Sequence, residues 1–296
     1  MLKTSLRFLN CIFAFYIIMI VLGKFNELEI LRDTSVGLFL GDDEGTDILL
    51  PNKYVPQDWE IGDKLSVFCY LDYDERPVAT NLVPYIERNS FALLRVEEVN
   101  AIGAFLQWGL EKHLLVPFKE QRSKMVAGQS YVVYCYLDPV TFRLVGSNKL
   151  DKFLDNSTAK YEQGDAVSVL VTRQSDLGWD VIVENQHKGM VYQNEVFKPI
   201  SVGDTMTAYV KLQREDFKLD ISLQPLGVAV LEPAAKQVLD LLSAHKGFLP
   251  LHDKSAPEEI KAYLEMSKKV FKKAIGTLYK NRTIKITSEG IYLLEA

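Results

Sequence analysis

Ile102-Gly103-Ala104-Phe105-Leu106, then Leu115-Val116-Pro117, then Gly128, then Tyr134-Cys135-Tyr136-Leu137-Asp138 is the stretch that decides the fold. Apolar runs of strand length are punctuated there by Gly and Pro, so it reads as strand, hairpin, strand, turn, strand. The pattern occurs twice more. Earlier it is Val36-Gly37-Leu38-Phe39-Leu40, Leu49-Leu50-Pro51, Gly62 and Phe68-Cys69-Tyr70-Leu71-Asp72. Later it is Leu177-Gly178-Trp179-Asp180-Val181, Met190-Val191-Tyr192, Gly203 and Tyr209-Val210-Lys211-Leu212. The two glycines are 25 residues apart in every copy, and the copies are offset by 66 and then by 75. Unrelated strands would not hold that register, so the chain carries a triplicated β module.

Each copy offers five short strands with a longer break after the third, which predicts a closed Greek-key barrel of the OB type. The barrels are expected at residues 23–84, 88–152 and 160–226. In the first copy, residues 41–45 (Gly-Asp-Asp-Glu-Gly) read as a hairpin turn by composition.

Beyond Pro225 and Pro233, which bracket a linker, the pattern changes. Ala234 to Ser243 has helical periodicity, with Val238, Leu239, Leu241 and Leu242 apolar. Ser255-Ala256-Pro257-Glu258 reads as a capping box that starts a second helix. Ser267 caps a third, from Lys268 to about Asn281. Thr283–Ile286 and Gly290–Leu294 read as two strands. Three helices and a hairpin are the winged-helix order, expected over residues 233–296. The fold class is therefore multidomain: three tandem all-β OB-fold barrels followed by an α/β winged-helix domain.

The third helix carries the clearest chemistry. At 100° per residue, Lys269, Lys272, Lys273, Gly276 and Lys280 share one face, opposite Val270, Phe271, Ala274, Ile275 and Leu278. Arg282 and Lys285 extend the charge towards the hairpin. An unmixed lysine face suits phosphate neutralisation. The other possibility is an ordinary solvated face. The net charge of −5 excludes a uniformly basic nucleic-acid binder, so any such role rests on local faces.

Three cysteines, with Cys69 and Cys135 at equivalent places in apolar strands, point to buried thiols and a reducing, cytoplasmic setting. No Cys/His spacing resembles a metal site, and no phosphate loop or nucleophile elbow is present. No cofactor, no small-molecule substrate and no enzyme activity is therefore expected.

Met1 to Leu22 resembles a secretory signal in outline, with Lys3, Arg7 and an uncharged run from Ile12. No small-residue cleavage site follows, and the run passes straight into Gly23-Lys24-Phe25. The preferred expectation is translation from Met19. A membrane role is expected only if residues 1–22 are retained, and that stretch is short for a span.

The spacing Gly-x-Phe-apolar, an apolar pair, Gly-Asp with an alternating strand, and Ile221-Ser222-Leu223 is similar to the S1 RNA-binding domain. That resemblance implies single-stranded RNA lying across the second and third strands of each barrel. The stacking residues it implies are Phe39, Phe105 and Trp179. Alternation leaves open whether the two phenylalanines face the core. Trp179 stands one place earlier than they do, with Asp180 at their position. It is therefore either a core residue or the sign of a changed face. Where S1 domains often have histidine after the apolar pair, this chain has Pro51, Pro117 and Tyr192. The third barrel, with Lys188, Tyr192, Lys211 and Arg214, is thus the best supplied for RNA, and His113 reads as an ordinary surface histidine.

Three such barrels and a winged helix resemble the conserved virulence factor B family of bacterial RNA-binding proteins. Ile102-Gly103-Ala104-Phe105-Leu106-Gln107-Trp108-Gly109-Leu110 with Leu115-Val116-Pro117-Phe118, Gly247-Phe248-Leu249-Pro250-Leu251-His252-Asp253-Lys254-Ser255 and the Ser267–Gly276 segment carry that resemblance. It implies RNA binding by both the barrels and the winged helix, with effects on gene expression; together with the lysine face, the leading expectation is a non-catalytic RNA-binding regulator with Lys269, Lys272, Lys273, Lys280, Arg282 and Lys285 on the RNA. Two alternatives stay open: a DNA-binding transcriptional regulator acting through the winged helix, and a protein-interaction scaffold.

Overall fold

The computed structural model describes residues 20–41, 45–225 and 231–294. The Met19 start, the centre of the 41–45 turn and much of the linker after Pro225 lie outside the described residues. The chain divides between Lys152 and Phe153 into two compact units, the first holding two barrels and the second a third barrel and a helical domain.

The first barrel is built from β1 (Phe25–Thr34), β2 (Gly37–Gly41), β3 (Asp47–Pro51), β4 (Lys64–Leu71) and β5 (Pro77–Thr80), closed in the order β1-β2-β3-β5-β4. The second uses β6 (Ser90–Val99), β7 (Gly103–Gln107), β8 (Leu114–Pro117), β9 (Ser130–Leu137) and β10 (Leu144–Ser147). The third uses β11 (Ala166–Ser175), β12 (Gly178–Val183), β13 (His187–Tyr192), β14 (Thr205–Gln213) and β15 (Leu219–Ser222). All three share one topology, in which the third and fifth strands run parallel and every other pairing is antiparallel. Closure leaves no sheet edge unpaired.

The paired glycines have separate physical reasons. A Cβ on Gly37, Gly103 or Gly178 would stand 2.1–2.4 Å from a carbonyl oxygen of the facing strand. Only hydrogen fits where the hairpin closes that tightly. Gly62, Gly128 and Gly203 instead hold φ of 97°, 82° and 97° in the turn into the fourth strand, a conformation that costs a Cβ-bearing residue.

Each barrel encloses an aliphatic core. Ile30, Leu38, Leu40 and Leu50 fill the first; Val96, Leu106, Leu114 and Val116 the second; Val171, Val181, Val191 and Ile221 the third. Cys69 and Cys135 are free and buried. Burial pushes both thiols up to about 12.

The helical domain follows the expected order with one addition. It comprises α1 (Leu231–Ala244), β16 (Phe248–Leu249), α2 (Pro257–Leu264), α3 (Lys268–Lys280), β17 (Ile284–Ile286) and β18 (Ile291–Leu293). The short β16 pairs with β18 and widens the expected hairpin to a three-stranded sheet. Ser255 is not the cap of α2. Ala256 holds that place, and Glu259 accepts a hydrogen bond from its backbone N–H at 2.9 Å. The Ser255 hydroxyl is turned back to accept from the His252 N–H at 3.0 Å. Ser267 does cap α3, accepting from the Val270 N–H at 3.2 Å. Among the described residues no helix is long and apolar enough to cross a membrane.

Candidate nucleic-acid interface

A β-bulge sets the geometry of the barrel faces. It falls at the same place in the first strand of each barrel, between Ile30 and Arg32, Val96 and Glu98, and Val171 and Arg173. The extra residue re-aims the strand, so that Arg32 lies opposite Phe39, Glu98 opposite Phe105 and Arg173 opposite Asp180. One position on the sheet thus carries three chemistries. Arg32 stacks its guanidinium 4.0 Å from the centre of the Phe39 ring. Glu98 lies opposite Phe105, so a carboxylate takes the place that Arg32 holds in barrel one. Arg173 forms an ion pair with the buried Asp180 carboxylate.

Phe39 and Phe105 are each half-buried between fully buried neighbours, so they stand on the outer side of their strands. Trp179 packs partly against the core of barrel three, and its indole N–H is buried without a hydrogen-bond acceptor. Asp180, not Trp179, therefore occupies the position of the two phenylalanines. Arg32, Glu98 and Arg173 escaped sequence reasoning, although they keep the 66 and 75 offsets and could have been found that way.

The cations of barrel three come with counter-charges. Lys211 is ion-paired with Glu195, which also accepts from the Ser222 hydroxyl. Arg214 donates to Asp220 at 2.9 Å and to the Tyr192 hydroxyl at 2.6 Å. The Asp220 hydrogen bond and charge hold the guanidinium above its ordinary pKa. Lys188 is exposed on β13, and its backbone N–H donates to Asn156. An incoming phosphate must displace carboxylates here, so this face is less positive than its residue list suggests.

The helical domain is different. Phe271, Ala274, Ile275 and Leu278 of α3 are buried with Val238, Leu242, Ile284 and Ile291, which fixes the helix's rotation. Lys269, Lys272, Lys273 and Lys280 are thereby exposed on the other side, as are Arg282 and Lys285 beyond it. Among the described residues no carboxylate pairs with any of these six. From Met266 to Ser288 the chain contains no Asp or Glu. Six exposed cations on one short segment make a locally positive stretch on an acidic chain.

The first unit adds a cleft lined by both of its barrels, with a volume of about 470 Å³ and Phe105 among its walls. His113 lines this cleft and is half-buried, so it is not simply a surface residue. Among the described residues no group of three or more His, Cys, Asp or Glu side chains could hold a metal ion.

Three closed five-stranded barrels ending in a winged helix define a tandem-module protein. The model of the S1 domain matches residues 22–82, and that of the CvfB-like winged helix domain matches residues 236–293. In this pairing of modules the chain is similar to the CvfB family. It is 26% identical over 282 residues to Conserved virulence factor B of Staphylococcus epidermidis ATCC 12228, covering 92% of this chain and 95% of that one. It is 28% identical over 270 residues to the uncharacterized protein YitL of Bacillus subtilis 168, covering 88% and 89%. A crystal structure of a Streptococcus pneumoniae multidomain protein with nucleic acid binding domains matches at 26% identity and a TM-score of 0.41, covering 92% of this chain and 98% of that one.

Proposed function

We propose that this protein is a non-catalytic, cytoplasmic RNA-binding protein that grips single-stranded RNA and regulates gene expression after transcription. The observation that carries this reading is the α3 face: Lys269, Lys272, Lys273 and Lys280, continued by Arg282 and Lys285, none with a carboxylate partner among the described residues. Charge of one sign in that density favours a polyanion. The half-buried Phe105 ring on an outer barrel face supplies a stacking platform, and the Phe39 ring supplies a second once a base displaces the Arg32 guanidinium from it; stacking contributes about 1–3 kcal/mol per base. Trp179, Lys188, Tyr192, Lys211 and Arg214 contribute less, because the indole packs on the core and two of the cations are already paired.

The winged-helix order favours a second reading, duplex DNA binding through α3. Competition separates the two. Labelled single-stranded RNA bound to the full chain at low salt is challenged with unlabelled duplex DNA and with unlabelled RNA. RNA-selective displacement supports the first reading. Absence of RNA binding at low salt, or displacement by duplex DNA at far lower concentration than by RNA, overturns it.

A further inference from the structure

The turn between β4 and β5 of barrel one does not end in solvent. The Asp72 carboxylate ties it internally, accepting from the backbone N–H groups of Asp74 and Arg76 at 2.9 Å each. Two bonds then clamp it to the β7–β8 hairpin of barrel two. The Lys112 ammonium donates to the Asp72 carbonyl at 2.6 Å, and the Tyr73 hydroxyl donates to the Glu111 carbonyl at 2.8 Å. Tyr73 is nevertheless 72% exposed, so a ring anchored through its hydroxyl stays largely accessible. Both barrels belong to one compact unit, and the turn stands as a wall over the outer face of barrel two.

The resulting cleft has two kinds of lining. Phe105, Leu115 and the 57%-exposed Ile102 give it apolar surface, Tyr73 is a further aromatic wall, and the Glu98 carboxylate lies across the strand pair from Phe105. Also in the lining, the Arg143 guanidinium is ion-paired with Glu75 of the wall. These side chains are 48% and 43% exposed, so the pair is worth no more than about 1 kcal/mol and either partner can be exchanged. The volume of about 470 Å³ falls within the range of about 300–1,000 Å³ found for small-molecule sites. A flat apolar ring beside a releasable guanidinium matches a nucleobase joined to a phosphate.

We infer that barrels one and two form one composite slot for a single nucleotide of the RNA strand. The base lies against Phe105 beneath Tyr73, and its phosphate takes Arg143 from Glu75. An open OB face lets a strand run across it, whereas this wall admits one nucleotide at a time. The slot presupposes RNA as the ligand and adds where and how one nucleotide is held.

The test uses the full chain and a short single-stranded RNA carrying 2-aminopurine, whose fluorescence falls on stacking. Tyr73→Ala removes the ring and Arg143→Gln the guanidinium; each is expected to weaken binding about tenfold and to relieve quenching. Glu75→Gln is expected to tighten binding several-fold, because phosphate no longer competes with a carboxylate. All three positions are at least partly exposed, so the fold persists, and circular dichroism checks it. A Lys272→Gln/Lys273→Gln variant serves as reference. If that reference loses affinity while Tyr73→Ala, Arg143→Gln and Glu75→Gln bind and quench like the parent, the slot is overturned and the RNA reading stands. If the parent itself binds no RNA, both fall.

Discussion

Gly276 lies at the centre of the lysine face, and replacing it with alanine should move stability and binding in opposite directions. It sits in the interior of α3, four residues before its last residue, with Lys269, Lys272, Lys273 and Lys280 within about 60° of it around the helix. A Cβ at this position would meet nothing within 4 Å, and φ is not positive there. Alanine therefore brings no clash. It removes only the excess backbone entropy of glycine, about 1 kcal/mol in a helix interior. Because the chain has several modules, the gain is best read by hydrogen exchange in α3 of the intact protein. Its slowest amides should exchange about fivefold more slowly. The same methyl group stands where a phosphate strand would approach the helix backbone between the lysines, so RNA affinity should fall several-fold. A less stable helix would refute the open position ascribed to Gly276. A more stable helix with unchanged RNA affinity would refute close backbone approach at this point.

The tight-hairpin glycine Gly178 should behave in the opposite sense. Alanine there meets the Val191 carbonyl at 2.1 Å with φ at 149°, and barrel three should lose about 2–4 kcal/mol, measured by urea unfolding. Cys69 and Cys135 should resist alkylation at pH 8 in the folded protein and react once it is unfolded, read by mass spectrometry. Burial raises each thiol from an ordinary 9.0 to about 12, so the unfolded chain ionises first as pH rises. Their contribution to stability is intact below pH 9 and is lost between about 9 and 12, by about 1.4 kcal/mol per pH unit per thiol. Flat stability between pH 9 and 11 would contradict this burial. Phe271→Ala should destabilise the helical domain by about 3–5 kcal/mol, because the ring is fully buried at its centre. Thermal unfolding followed by circular dichroism at 222 nm checks it.

Local rules that repeat were readable in the chain before any coordinates. The paired glycines each obey a short-range constraint, a close carbonyl or a positive φ, and three copies make that constraint visible as spacing. The α3 face was equally legible, since a helix needs only its own period and a cap to declare which side is buried. What escaped depends on distant partners. The two-residue β16 is a strand only because β18 lies beside it. Ser255 looked like a cap, but the His252 N–H offered its hydroxyl a nearer donor, and Ala256 with Glu259 took over. The neutralised state of Lys211 and Arg214 came from Glu195 and Asp220, carboxylates whose reach depends on barrel closure. Nothing in the spacing of Asp72 and Lys112 announces that they join two barrels.

The most direct test of the central claim is the salt dependence of RNA binding, measured between 50 and 200 mM salt. The comparison is the parent chain against one in which Lys269, Lys272, Lys273 and Lys280 are all glutamine. Single-stranded nucleic acid releases about 0.7 counterion per phosphate neutralised, so the slope of log affinity against log salt should become shallower by about 2.8. An unchanged slope, with affinity retained, would mean that the lysine face does not hold RNA.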